Sequence, residues 1–312
     1  MDIEGKKEPL PARPAIYREL NLSPDGKRIA LSVIDGSRQD VQDVWVYDPQ
    51  RDAMTRLTSG GGESYYRFPV WSPNGQHVVF AWLGHDMFQT RADGASQPHP
   101  LIASTAVQSP WSFSSDGKFL AYHELAGTRQ LWTLPLQNEG GQLKAGTPVR
   151  FLESRSNDVA PSFSPDGRWL AYQSNESGTN EVYVRAFSPP SASSPGSAVQ
   201  GGKWQISNAG GTQPRWSRSG HDLIYKSGDQ LMAASYTASG ATFVAEKPRV
   251  WMATIGAAED SLGIAVWDLA PDGKRVVVAV PVESSEAPKQ EHEVVFLLNF
   301  VDELRRRVPV GK

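Results

Sequence analysis

Short apolar runs, many with period two, are spaced along this chain and separated by clusters of Gly, Pro, Asn, Asp and Ser. Runs of that length and period read as β-strands with turns between them. One grouping then repeats. An apolar or aromatic residue leads into a turn, and a short β-type run follows: Leu22-Ser-Pro-Asp-Gly-Lys-Arg-Ile-Ala-Leu31. It returns as Trp71-Ser-Pro-Asn-Gly-Gln-His-Val-Val-Phe80, Phe113-Ser-Ser-Asp-Gly-Lys-Phe-Leu-Ala-Tyr122 and Phe163-Ser-Pro-Asp-Gly-Arg-Trp-Leu-Ala-Tyr172. Trp216-Ser-Arg-Ser-Gly-His-Asp-Leu-Ile-Tyr225 and Leu269-Ala-Pro-Asp-Gly-Lys-Arg-Val-Val-Val278 make six copies.

The turn glycines, Gly26, Gly75, Gly117, Gly167, Gly220 and Gly273, recur at intervals of roughly 42 to 53 residues, one propeller blade with its loops. Each unit is expected to hold four strands. Strand A runs into the turn. Strand B leaves it, at 29–33, 78–82, 119–123, 169–173, 223–226 and 276–280. Strand C is the next β-rich run, at 44–47, 87–90, 131–134, 182–185, 231–234 and 294–298, and strand D is a short rim strand at 55–58, 100–102, 149–152, 204–207 and 249–251. The expectation is one all-β domain over 1–312, a six-bladed β-propeller of four-stranded antiparallel blades. Its blades span 15–58, 64–102, 107–152, 157–207, 211–251 and 262–299. The sixth unit has no strand D, so residues 7–14 are a candidate closing strand within a separate stretch 1–14; their prolines suit an edge. Residues 300–312 read as a short helical tail, and 188–197, rich in Ser and Pro, as a loop.

Composition narrows the function classes. With 39% hydrophobic and 10% aromatic residues the 312-residue chain can bury a core. A net charge of -3 gives no basic footprint for nucleic acid, and the absence of Cys excludes disulfides and thiolate chemistry. No apolar run approaches membrane-spanning length, and the first residues lack the apolar core of a signal peptide. The chain is expected to be a monomer without membrane insertion. It would be cytoplasmic as written, and periplasmic or extracytoplasmic as part of a larger sensor protein.

The repeated Asp (Asn74 once) suggests an acidic site at first sight. Its return at the same turn in five units marks it instead as a turn element, where the side chain bonds the backbone and Gly takes the left-handed dihedral. This Ser-Pro-Asp-Gly pattern resembles the WD-like repeats of TolB-type β-propellers over nearly the whole chain. Glu181-Val-Tyr-Val-Arg-Ala-Phe187, Gly201-Gly-Lys-Trp-Gln-Ile-Ser207, Gly211-Thr-Gln-Pro-Arg-Trp-Ser217 and the tail from Leu298 to Pro309 are similar to sensor-like propellers at the C-termini of acidobacterial serine/threonine kinases. The resemblance implies a bacterial propeller that binds or scaffolds. The kinase motifs and Gly-x-Ser-x-Gly are both missing.

Candidate chemistry comes from residues that break the repeat. Aligned on the turn serine, Tyr17-Arg18 and Tyr66-Arg67 fall where strand A begins, with Asp158 at the matching place in unit four. Arginine forks suit an anionic group, so these five residues are candidate ligand contacts at the channel mouth on the face away from the turns. The alternative is that Arg18 and Arg67 pair with Glu19 or Asp158. On the same face His85, Asp86, His123 and Glu124, with Asp158, offer a nitrogen and oxygen set for calcium or zinc. That set would serve a metal-dependent lactone- or ester-type hydrolase. The main expectation needs no cofactor: a non-catalytic sensor or scaffold binding a protein, peptide or small anionic ligand through the central channel. The aromatic set Trp71, Trp111, Phe113, Phe163, Trp169 and Trp216 is expected to pack blade on blade.

Overall fold

The computed structural model describes residues 8–12, 15–35, 38–59, 64–82, 86–189, 201–218, 221–256, 266–281 and 292–296. Their strands form six antiparallel units in chain order. The innermost strands, A, are Ile16–Leu22, Ser64–Trp71, Val107–Phe113, Asp158–Phe163, Thr212–Trp216 and Trp267–Leu269. Each pairs with the strand B that follows its turn: Ile29–Asp35, His77–Trp82, Phe119–Ala126, Trp169–Ser174, Asp222–Ser227 and Val276–Pro281. The ladder continues outward to strand C and then to the short rim strand D, which is described in units one to five. A parallel pairing of Val41 with Ser64 and of Gln42 with Tyr65 joins the first two units. Buried side chains from facing sheets fill the seams, as where Tyr122, Val79, Met87 and Leu101 meet between units two and three. Among the described residues no helix is long and apolar enough to cross a membrane.

The repeated turn is built from its own side chains. The glycine N–H bonds the serine carbonyl, at 2.8 Å for Gly26 to Ser23, closing a type I turn with Gly26 at φ 69°. Ser23 Oγ donates to Asp25 Oδ1 at 2.6 Å and accepts Arg28 N–H at 2.9 Å, while Asp25 Oδ1 also accepts Lys27 N–H. Ser72 with Asn74 and Ser114 with Asp116 repeat the pattern. Burial works against ionisation of Asp25, yet the bonds from Ser23 and Lys27 hold its carboxyl below the ordinary value. These acids are turn elements.

Two features depart from the sequence reading. In units three and five strand C runs on, as Thr128–Glu139 and Gln230–Ser239, and folds back through hairpins to Gln142–Ala145 and Thr242–Ala245. The hairpins stand beyond the A–B turns and lean over the preceding unit. His77 Nε2 meets Gly141 O at 2.8 Å, Gln89 bonds both the N–H and the carbonyl of Leu143, and Arg168 reaches Gly240 O. Asn138-Glu-Gly-Gly141 and Ser239-Gly240 are hairpin signals that a four-residue strand C overlooks. The second feature is the candidate closing strand. Residues 8–12 carry no strand pairing; Leu10 and Ala12 instead pack against Val277 and Ala279 of unit six. Lys7, Arg13 and Pro14, the tail 300–312, and most of the Ser/Pro loop lie outside the described residues.

Candidate ligand-binding funnel

The residues singled out at the start of strand A lie in different surroundings. Tyr17 is buried with Leu20, Leu31, Tyr47 and Val277, and Arg18 is exposed. Tyr66 packs on Phe80 and Trp82 in the seam between units one and two. Arg67 donates from Nε to the buried Glu19 at 2.7 Å and lies 4.8 Å above the Phe68 ring. Glu19 thus neutralises Arg67, the pairing alternative in the sequence. Asp158 is not brought to either arginine. It is buried, and burial raises its pKa against the opposing hydrogen bonds of Ser174 and Ser154. Its Oδ2 is without a hydrogen-bond partner.

The nitrogen and oxygen set is likewise divided. His85 lies outside the described residues. Asp86 and Glu124 converge on Ser104, Asp86 accepting its N–H at 3.1 Å and Glu124 its hydroxyl at 3.3 Å, with Gln108 also donating to Glu124. His123 turns inward instead. Its Nδ1 accepts the Trp111 indole N–H at 3.0 Å, so the neutral ring carries its proton on Nε2. Among the described residues no group of three or more His, Asp or Glu is placed to hold a metal ion.

Burial brings the His123 pKa down to about 3 from 6.5, with Arg129 adding a smaller push in the same direction. Between those values the unfolded chain binds a proton that the folded ring refuses. Stability from His123 is therefore complete above about pH 6.5 and falls on acidification, by up to about 1.4 kcal/mol per pH unit. His123→Gln keeps an acceptor for Trp111 without titrating, so its unfolding free energy should vary less steeply between pH 6.5 and 4. An unchanged slope would refute the assignment.

A cavity of about 370 Å³ opens at the other end of the channel, among the Ser-Pro-Asp-Gly turns. Its layers follow the repeat. The residues two before each turn serine (or Ala270) form the floor: Asn21, Val70, Ser112, Ser162, Arg215 and Asp268. Three of these seal a seam by accepting the backbone N–H of the next unit. Asn21 Oδ1 takes Trp71 N–H at 2.9 Å, Ser112 Oγ takes Phe163 N–H at 2.9 Å, and Asp268 Oδ2 takes Leu22 N–H at 2.8 Å. Arg215 donates from Nε to Asp268 at 3.2 Å, and its guanidinium lies 5.3 Å from the Trp111 ring and 5.9 Å from Trp267. Those tryptophans belong to units three and six, so Arg215 of unit five crosses the channel and plugs it. Beside the plug a void of about 10 Å³ remains, lined by Glu19, Phe68, Pro110 and Trp111 among others.

The rim is made by the residues just after the turn serine: Pro24, Pro73, Ser115, Pro165, Arg218 and Pro271. Each of three prolines abuts the turn glycine of the next unit. A Cβ on Gly26 would lie 2.8 Å from Pro271, so both its φ and the close approach require glycine. Pro24 faces Gly75 and Pro73 faces Gly117 in the same way, at 3.9 and 3.8 Å. At Gly167, where Ser115 replaces the proline, nothing lies within 4 Å, and the rim has a notch. The sequence-predicted contacts lie at the far end of strand A from this cavity. The signal for this site was the variation at the two positions flanking the turn: Arg215 and Asp268 before it, Ser115 and Arg218 after it.

This geometry is that of a TolB-type, WD-like β-propeller. The putative TolB from Agrobacterium tumefaciens superposes with a TM-score of 0.53 at 15% identity, over 74% of this chain and 80% of that one. TolB from Acinetobacter baumannii gives 0.54 at 14% identity, over 83% of this chain and 59% of its own length. The β-propeller domain of Cps50 (Swd1) from Myceliophteria thermophila gives 0.58 at 11% identity, over 86% and 80%. No protein-family model matches the chain.

Proposed function

We propose that this propeller is a non-catalytic binding module whose partner, a peptide segment or a small molecule, seats in the funnel at the turn face. One observation carries the reading: the channel is plugged by Arg215 and opens at one end into a cavity of about 370 Å³, a size typical of ligand sites. The lining speaks for binding rather than catalysis. Among its described residues there is no His, and its one carboxylate, Asp268, is engaged by Arg215, Asn21 and two backbone N–H groups. The serines of the turns are spent within the turns, each hydroxyl donating to the turn aspartate and accepting a backbone N–H. A sensor or scaffold role agrees with the resemblance of units four and five to sensor-like propellers.

Selection from a displayed random-peptide library on the immobilised protein tests this. Ser115 is exposed in the notch, so Ser115→Trp should cap the funnel without unfolding the protein. Selected peptides are expected to lose at least tenfold in affinity for that variant. Peptides that bind the capped protein equally well would reject the funnel.

A further inference from the structure

The polar groups of the funnel leave little unspent, and what they leave defines a ligand. The indole N–H groups of its walls are all taken: Trp71 by Asn21 O at 3.0 Å, Trp111 by His123 at 3.0 Å, Trp216 by Ser162 O at 2.9 Å. These rings offer the cavity apolar surface without a polar demand. Arg215 and Asp268 cancel each other at the floor. At the rim Arg218 stands apart. It is exposed, it replaces the proline of the repeat, and its Nη1 donates across the mouth to the Pro24 carbonyl at 3.1 Å. No acidic partner for it occurs among the described residues, whereas Arg168 and Arg275 near other turns each have an aspartate. A carbonyl is a weaker partner for a guanidinium than a carboxylate, so the contact is one that an anion can displace.

Resting on the funnel reading above, we propose that this site takes an amphipathic monoanion. An aromatic or branched aliphatic body lies against the walls, and a single carboxylate docks on Arg218 at the rim. A peptide C-terminus and a free carboxylic acid share that chemistry. A phosphate-rich or multiply charged ligand does not fit, because among the described residues the rim offers one cation without an acidic partner and the floor none.

Two matched pairs of probes test the assignment by quenching of tryptophan fluorescence. They are acetyl-Ala-Ala-Phe with its C-terminal amide, and 3-phenylpropanoate with 3-phenylpropanamide. In at least one pair the acid should bind about five- to tenfold more tightly than the amide, as a partly solvated charge-assisted bond allows. The pair showing the preference identifies the source, and added salt should narrow it. Arg218→Gln should bring acid and amide within twofold of each other while leaving amide binding unchanged. Equal binding in both pairs, or a preference that survives Arg218→Gln, overturns the anion assignment. If the probes still bind equally and Ser115→Trp blocks them, the funnel stands and only the anion is lost. Binding indifferent to Ser115→Trp, or no saturable binding, overturns both.

Discussion

Asp268→Ala is expected to destabilise the propeller by about 3–5 kcal/mol, the cost of stranding a buried charge. Arg215 and Asp268 have only 10% of each side chain exposed, and the carboxylate also holds Asn21 Nδ2 and Leu22 N–H at 2.8 Å. These bonds tie units five, six and one together where the ring closes. Removing the acid leaves the guanidinium between Trp111 and Trp267 uncompensated and the three donors on Asn21, Leu22 and Leu269 without their acceptor. The double change Asp268→Leu with Arg215→Met should recover most of the loss, since neither charge then remains to be desolvated. Denaturant unfolding followed by fluorescence and circular dichroism measures both. A loss under 1 kcal/mol in the single variant would show that the pair does not hold the closure.

Phe243→Ala is expected to cost about 3–5 kcal/mol, as for other large aromatic deletions in a packed core. Phe243 sits on the returning arm of the unit-five hairpin and is 2% exposed. Its ring lies 5.1 Å from Trp169, 5.7 Å from Trp204, 6.0 Å from Trp216 and 5.2 Å from Tyr236. Two of those partners belong to unit four, so the hairpin clamps one blade onto the next. Val244, the adjacent residue, is 55% exposed, and Val244→Ser should change stability by less than about 0.5 kcal/mol. A Phe243→Ala protein as stable as the parent would make the hairpin an appendage.

The propeller was legible in the residues because its signal is local and repeated. Ser, Pro, Asp and Gly each have a defined place in a type I turn, and six copies of one turn set the register of strands A and B. The inner strand ends were correspondingly well placed. The hairpins of units three and five were not, since they are held by the preceding unit, through backbone bonds to His77 and Gln89 and through packing on Trp169, rather than by anything nearby in the chain. His123 shows the same limit at a candidate site. Beside Glu124, and on the unit next to the one that carries Asp86, it suggests a metal ligand, yet one hydrogen bond from Trp111 and burial commit it to the core.

The sequence by itself determined the class of fold, the number of repeats and the role of the turn acids, because each depends on contacts within a few residues. Only the tertiary structure placed a cavity at the turn end of the channel. That depends on side chains from units far apart in the chain meeting at the axis, where Arg215 crosses between Trp111 and Trp267 and Asp268 binds unit one. The turns that first served to count the blades also form the rim of the funnel, with Ser115 and Arg218 as its exceptions.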